Sequence, residues 1–107
     1  MIPYERVEQA LQYLAETDVR EAEYKAEVES AKRAMDETFK TIAAASDGTV
    51  LQKEAKAGNS EQYKEAKVRY IESIAKHGAV KNERHRNELI IDVWRSINSA
   101  RNKGQIL

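Results

Sequence analysis

Apolar and polar positions along this chain recur at helical intervals almost from end to end. Tyr4, Val7, Leu11 and Leu14 are spaced three, four and three apart, which draws one narrow apolar stripe along a helix. The stripe resumes at Tyr24, Val28, Ala31, Met35, Thr38 and Ile42 in a heptad rhythm of the coiled-coil kind, widened by Phe39. Between the two runs, Asp18 with Glu21 three residues later matches a capping box, so the pattern predicts a boundary or kink there. Pro3 suits a first helical position because its φ is already helical. Gly48 is a natural stop, and Thr49 with Gln52 is a second capping box that opens a short helix. Asn59 or Ser60 then caps a last helix whose apolar positions start at Tyr63, Ala66, Tyr70, Ile71 and Ile74. Gly78 is its one weak point, costing about 1 kcal/mol relative to Ala. The expectation is a single helical domain over 1–107, with helices at about 4–17, 18–45, 50–57 and 61–101.

The last helix and the first two together make rods of equal length, roughly 60 Å at 1.5 Å per residue. Folded antiparallel with the short helix at the tip, they match apolar to apolar when facing residue numbers sum to about 105. Leu11 would then meet Trp94, Phe39 would meet Ala66, and Met35 would meet Tyr70. The same register sets the wet stretch KNERHRNE (81–88) against the acidic segment TDVREAEY (17–24), with Arg84 across from Glu21 and Asn87 across from Asp18. The fold class expected is all-α, a long coiled-coil-like antiparallel helical hairpin.

After that wet stretch the helix changes character. Leu89, Ile90, Ile91, Val93, Trp94, Ile97 and Ala100 cover roughly 200° of its circumference, where one neighbour needs a stripe only a little over 100° wide. The first helix can cover one side and the chain has no helix left for the other. A second subunit would complete a four-helix bundle at that end, with Leu89, Ile90, Val93, Trp94 and Ile97 as the candidate homodimer interface.

Composition narrows the function classes. The chain has 107 residues, 34% of them charged and 41% hydrophobic, and formal net charge zero. No apolar run approaches the roughly 18 residues of a membrane span, and no leader is expected because residues 4–15 are amphipathic. The absence of Cys excludes disulfides and thiol chemistry and fits a reducing cytoplasm. There is no Gly-rich phosphate loop, nucleophile elbow or recognisable Ser/His/Asp arrangement, so no catalytic residue and no cofactor is expected. His85, Glu88 and Asp92 share one side of a helix, but the patterns of helical zinc and di-iron sites are missing and no metal is expected.

Charge is unevenly spread. Residues 1–30 carry eight acids and three bases, whereas residues 76–107 carry seven bases and three acids. Such asymmetry suits either halves that attract each other or a surface that meets nucleic acid. Arg84, Arg86, Arg95, Arg101 and Lys103 are the candidate contacts for nucleic acid or a partner.

The stretch ELIIDVWRS (88–96) followed by ARNKG (100–104), with YIESIAKH (70–77) upstream and SDGTV (46–50) at the turn, resembles a set of small, all-helical, uncharacterised proteins encoded by tailed bacteriophages and prophages. The likeness runs from Ala22 onwards, and Gly78 departs from the uninterrupted helix of such relatives. It implies a bacterial cytoplasmic setting and a non-enzymatic role, in which small phage proteins assist DNA recombination or replication or blunt host defences. Two functions follow as expectations. The first is a non-catalytic helical accessory protein of phage DNA metabolism that acts through the basic surface. The alternative is a protein-binding inhibitor or adaptor of a host or phage protein, with no nucleic-acid contact.

Overall fold

The structure is a computed structural model that describes residues 2–104. Its fold is an all-α helical hairpin made of α1 (Tyr4–Ala45), α2 (Val50–Gly58) and α3 (Glu61–Asn102). Among the described residues there is no strand.

Helix α1 runs unbroken for 42 residues, so the boundary expected at residues 17 and 18 is corrected. Thr17 behaves as a helix-interior residue, its hydroxyl donating to the Tyr13 carbonyl one turn back at 2.7 Å. Asp18 therefore does not cap a new helix. Good helix formers on both sides carry the backbone through. The second capping box does form: the Thr49 hydroxyl accepts from the Gln52 backbone N–H at 3.2 Å, and the Gln52 side chain accepts from the Thr49 N–H at 2.9 Å. Gly48 precedes it at φ +112°, a left-handed conformation in which a side chain would also collide with Gln52. Ser60 opens α3 by accepting from the Tyr63 N–H at 3.2 Å. Helix α3 continues through Gly78, where an added methyl group would meet open space.

The tertiary contacts divide into two units, and both long helices contribute to each. The first unit joins the residues of α1 up to Ala22 to those of α3 from Gly78. Val7, Ala10 and Ile91 form its buried apolar centre, with Ile2, Leu14, Ile90 and Trp94 packed around them. Trp94 meets the Tyr4 ring at 5.8 Å between centroids, so the expected pairing with Leu11 is not its main one, and Leu11 is half exposed.

The second unit is Glu23–His77. Its buried residues are small: Ala57, Ala66 and Ser73. Phe39 and Tyr63 pack edge to face with centroids 5.4 Å apart, a favourable quadrupole geometry. The Lys76 ammonium lies 4.2 Å from the Tyr24 ring centre and 3.3 Å from the Glu27 carboxylate, so one cation serves both. Lys56 ties α2 to the preceding loop by donating to the Asp47 carbonyl at 3.0 Å.

Candidate functional site

The five candidate cations occupy different environments. Arg84 is turned inward, with its side chain only 16% exposed. One guanidinium nitrogen donates to the Leu14 carbonyl at 2.7 Å and the Thr17 hydroxyl at 2.8 Å, and the other lies 3.5 Å from the Asp18 carboxylate. Just beyond, Arg6 donates to the buried Asn87 side chain at 3.3 Å, and Asn87 in turn donates to the Glu83 carbonyl at 2.8 Å. The expected register would put Asn87 opposite Asp18 and Arg84 opposite Glu21. The observed contacts slip toward the start of α1, by about one turn of helix at Arg84 and by about three turns at Asn87, whose partner is Arg6. The slip has a physical cause. Arg84, Thr17 and Asn87 sit on the faces where the two helices touch, and each must find its hydrogen bonds there. Among the described residues no buried side-chain nitrogen or oxygen lacks a partner.

Arg86 is exposed and paired with Glu83 on its own helix at 3.2 Å. Arg95, Arg101 and Lys103 are exposed on the last turns of α3 and just beyond them. At about 100° per residue, Arg86 and Arg95 lie on opposite sides of the helix. Arg95 and Arg101 are about 120° apart. The cations are therefore distributed around α3, with Glu88 and Asp92 exposed among them.

The five candidate apolar residues also separate. Ile90 and Trp94 are partly covered by the Val7, Ala10 and Ile91 centre. Ile97 is half buried and lines a hollow of about 210 Å³ with Ile2, Pro3, Tyr4, Trp94, Asn98 and Arg101. Leu89 and Val93 point away from α1 and are 48% and 47% exposed.

A third set was missed by sequence reasoning. Val68, Ile71 and Ile74 lie exposed along α3, although the helical spacing had placed Ile71 and Ile74 in the seam with α1. Ala66, which the spacing had placed in that seam, is buried, and Ser73, seven residues on, is buried where Ile74 was expected. Their small size was the available signal, because small residues let two helix backbones approach closely. Val50 and Leu51, at the start of α2, are exposed as well, and Val50 edges a hollow of about 320 Å³ with Phe39, Ala43 and Ala44.

A polar hollow of about 460 Å³ is lined by Glu21, Lys81, Asn82, Arg84, His85 and Glu88. Its charges are of both signs, and His85 lies 3.9 Å from Glu88 with both side chains largely in solvent. Among the described residues no group of three or more His, Asp or Glu is arranged to hold a metal ion. No described helix is long and apolar enough to cross a membrane. In comparison with known proteins, the chain matches no family model, no curated protein and no solved structure.

Proposed function

We propose that this chain is a non-catalytic helical module that acts by binding other proteins, in the bacteriophage setting implied by the resemblance of its C-terminal stretch. The observation that carries this reading is the outward apolar surface. Among the described residues ten large apolar side chains are between 44% and 77% exposed, and several are neighbours on one helix face rather than scattered singly. Val68, Ile71 and Ile74 follow one another at three-residue spacing, and Leu89 and Val93 are one turn apart. Exposed apolar neighbours of this kind mark interaction surfaces in soluble proteins.

The nucleic-acid reading has weaker support. A phosphate-tracking surface needs cations that converge on one face and are free to release counterions. Arg84 is held by Thr17, Leu14 and Asp18, Arg86 faces Glu83, and the remaining cations diverge around α3. The deciding experiment is titration of the full chain with labelled single- and double-stranded DNA across a salt series. No binding is expected even near 50 mM salt, whereas binding that weakens steeply as salt rises would overturn the reading. A second arm compares proteins captured from bacterial lysates by the wild type and by an Ile71→Ser/Ile74→Ser variant. The reading expects a partner that the variant loses.

A further inference from the structure

Asp47 is the one aspartate of this chain that is followed by glycine; the other three precede Val19, Glu37 and Val93. An Asp–Gly pair can isomerise without any enzyme, because the glycine nitrogen attacks the side-chain carboxyl carbon and a five-membered imide closes. A helix prevents this, since the N–H that would attack is already donated to a carbonyl one turn back. Every other candidate in the chain is held in such a way. Val19, Glu37 and Val93 lie inside α1 and α3, and so do the residues that follow Asn82, Asn87 and Asn98. After Asn59, the Ser60 N–H donates to the Ala57 carbonyl at 3.2 Å, and after Asn102 the Lys103 N–H donates to the Ser99 carbonyl at 3.1 Å. Gly48 differs. It lies between α1 and α2, exposed like Asp47, and among the described residues its N–H has no hydrogen-bond partner. Glycine also has no Cβ to crowd its own nitrogen.

A second contact acts on the same peptide unit. The Lys56 ammonium donates to the Asp47 carbonyl oxygen at 3.0 Å. A cation on that oxygen draws electron density out of the Asp47–Gly48 peptide bond and makes the Gly48 N–H easier to deprotonate.

We infer that Asp47 is a site of spontaneous isomerisation to isoaspartate, promoted by Lys56, and that conversion loosens α2. In the first step the Gly48 nitrogen bonds to the side-chain carboxyl carbon of Asp47, and the carboxyl hydroxyl leaves with the amide proton as water. In the second step water opens the imide. Attack at the side-chain carbonyl restores aspartate. Attack at the main-chain carbonyl breaks its bond to the Gly48 nitrogen and leaves the backbone running through the side chain, one methylene longer. Lys56 favours this second opening, since the main-chain oxygen is the one it polarises. In the product that oxygen belongs to a free carboxylate, so the contact becomes an ion pair. One water leaves and one returns, and no oxidant or reductant is needed. The longer backbone begins two residues before Thr49, whose hydroxyl and N–H close the capping box, so a helix of nine residues loses the entry geometry that holds it. The site is independent of the reading of the chain as a protein-binding module.

The test is prolonged incubation of the full chain at physiological temperature and pH. Isoaspartate is measured by methyl transfer from S-adenosylmethionine with a purified isoaspartyl methyltransferase. It is located by peptide mapping with a protease that cuts before aspartate and not before isoaspartate. One growing methyl acceptor is expected, in the peptide that spans Asp47, and hydrogen exchange of α2 should quicken as it grows. Asp47→Glu should remove the acceptor, because its ring would need six members and closes far more slowly. Lys56→Met keeps the reach of the side chain and deletes the cation, and should lower the yield several-fold. The proposal is overturned by a folded chain that gains no acceptor, or by an acceptor that survives Asp47→Glu. It is equally overturned by a yield that Lys56→Met leaves unchanged or raises, or by conversion with no change of exchange in α2.

Discussion

The two units of this hairpin use the same two helices and hold them together by different means. In the unit built on Val7, Ala10 and Ile91, large apolar side chains fill the space between helices, and a buried polar set of Arg84, Thr17 and Asn87 settles which turn faces which. In the unit from Glu23 to His77, the buried residues are Ala57, Ala66 and Ser73, too small to fill much space. There the helices meet through close approach of small residues, an aromatic edge contact and the α2 turn. The first arrangement is specific because misplacing a buried polar group leaves it without partners. The second relies on buried residues being small, since enlarging a buried side chain is itself destabilising.

This contrast predicts opposite sensitivities. Ile91→Ala removes most of a side chain from the best-packed point of the first unit and is expected to cost about 3 kcal/mol in denaturant unfolding. At Ala66 the damaging change is enlargement. Ala66→Leu should cost about 2 kcal/mol by forcing the helices apart, while Ala66→Gly should cost nearer 1 kcal/mol. Equal tolerance of Ala66→Leu and Ala66→Gly would show that the second unit is loosely packed, and the contrast would collapse.

The polar contacts give the next largest effect. Arg84→Ala removes a mostly buried guanidinium from the Thr17 hydroxyl, the Leu14 carbonyl and Asp18, with an expected loss of about 2 kcal/mol. Lys76→Ala breaks a pair whose members are 48% and 53% exposed, so screening by water limits its loss to about 0.5 kcal/mol, with a small addition from the Tyr24 ring. Raising the salt concentration should reduce the Lys76 effect and hardly touch the Arg84 one. Similar losses at the two sites would mean that Arg84 is as solvated as Lys76.

Helix type, the doubling back and the second capping box were legible in the chain. Thr49 with Gln52 was readable because a capping box is a local arrangement whose donors and acceptors lie within three residues. Asp18 with Glu21 carried the same signature and did not act on it. Local spacing does not reveal that the Thr17 hydroxyl turns back to Tyr13 while Arg84 arrives from α3. The register was missed for the same reason, by about one turn at Arg84 and about three turns at Asn87. Apolar matching treated Arg84 and Asn87 as surface, yet they lie between the helices and decide the pairing. The excess width of the apolar arc after residue 88 was readable, and Leu89 and Val93 stand exposed on it. The exposed Val68, Ile71 and Ile74 were not, since an apolar residue at helical spacing looks the same whether it faces a partner helix or stands beside it.

A smaller effect is expected where α2 begins. Thr49→Ala deletes the hydroxyl that accepts from the Gln52 N–H and should cost about 1 kcal/mol. The loss should register most in hydrogen exchange of α2, a helix of nine residues that is too short to hold without its cap. Unchanged exchange in α2 would mean that the Lys56 bond to Asp47 anchors the helix on its own.

The smallest effect has the opposite sign and falls at Gly78, where the α3 segment assigned to the first unit begins. Gly78 lies inside an unbroken helix. Its backbone freedom in the unfolded chain is lost on folding, and it has no side chain whose packing would offset that loss. An added methyl group would meet nothing within 4 Å, so a larger residue carries no steric penalty there. Gly78→Ala should therefore stabilise the chain by about 0.5–1 kcal/mol and raise the thermal midpoint by a few degrees. Arg84→Ala combined with Gly78→Ala should show the two effects adding, since the Arg84 hydrogen bonds run to α1 and the space around Gly78 is open. A neutral or destabilising Gly78→Ala would mean that α3 bends or opens there in solution, and the two units would then have to be treated as separately folding pieces.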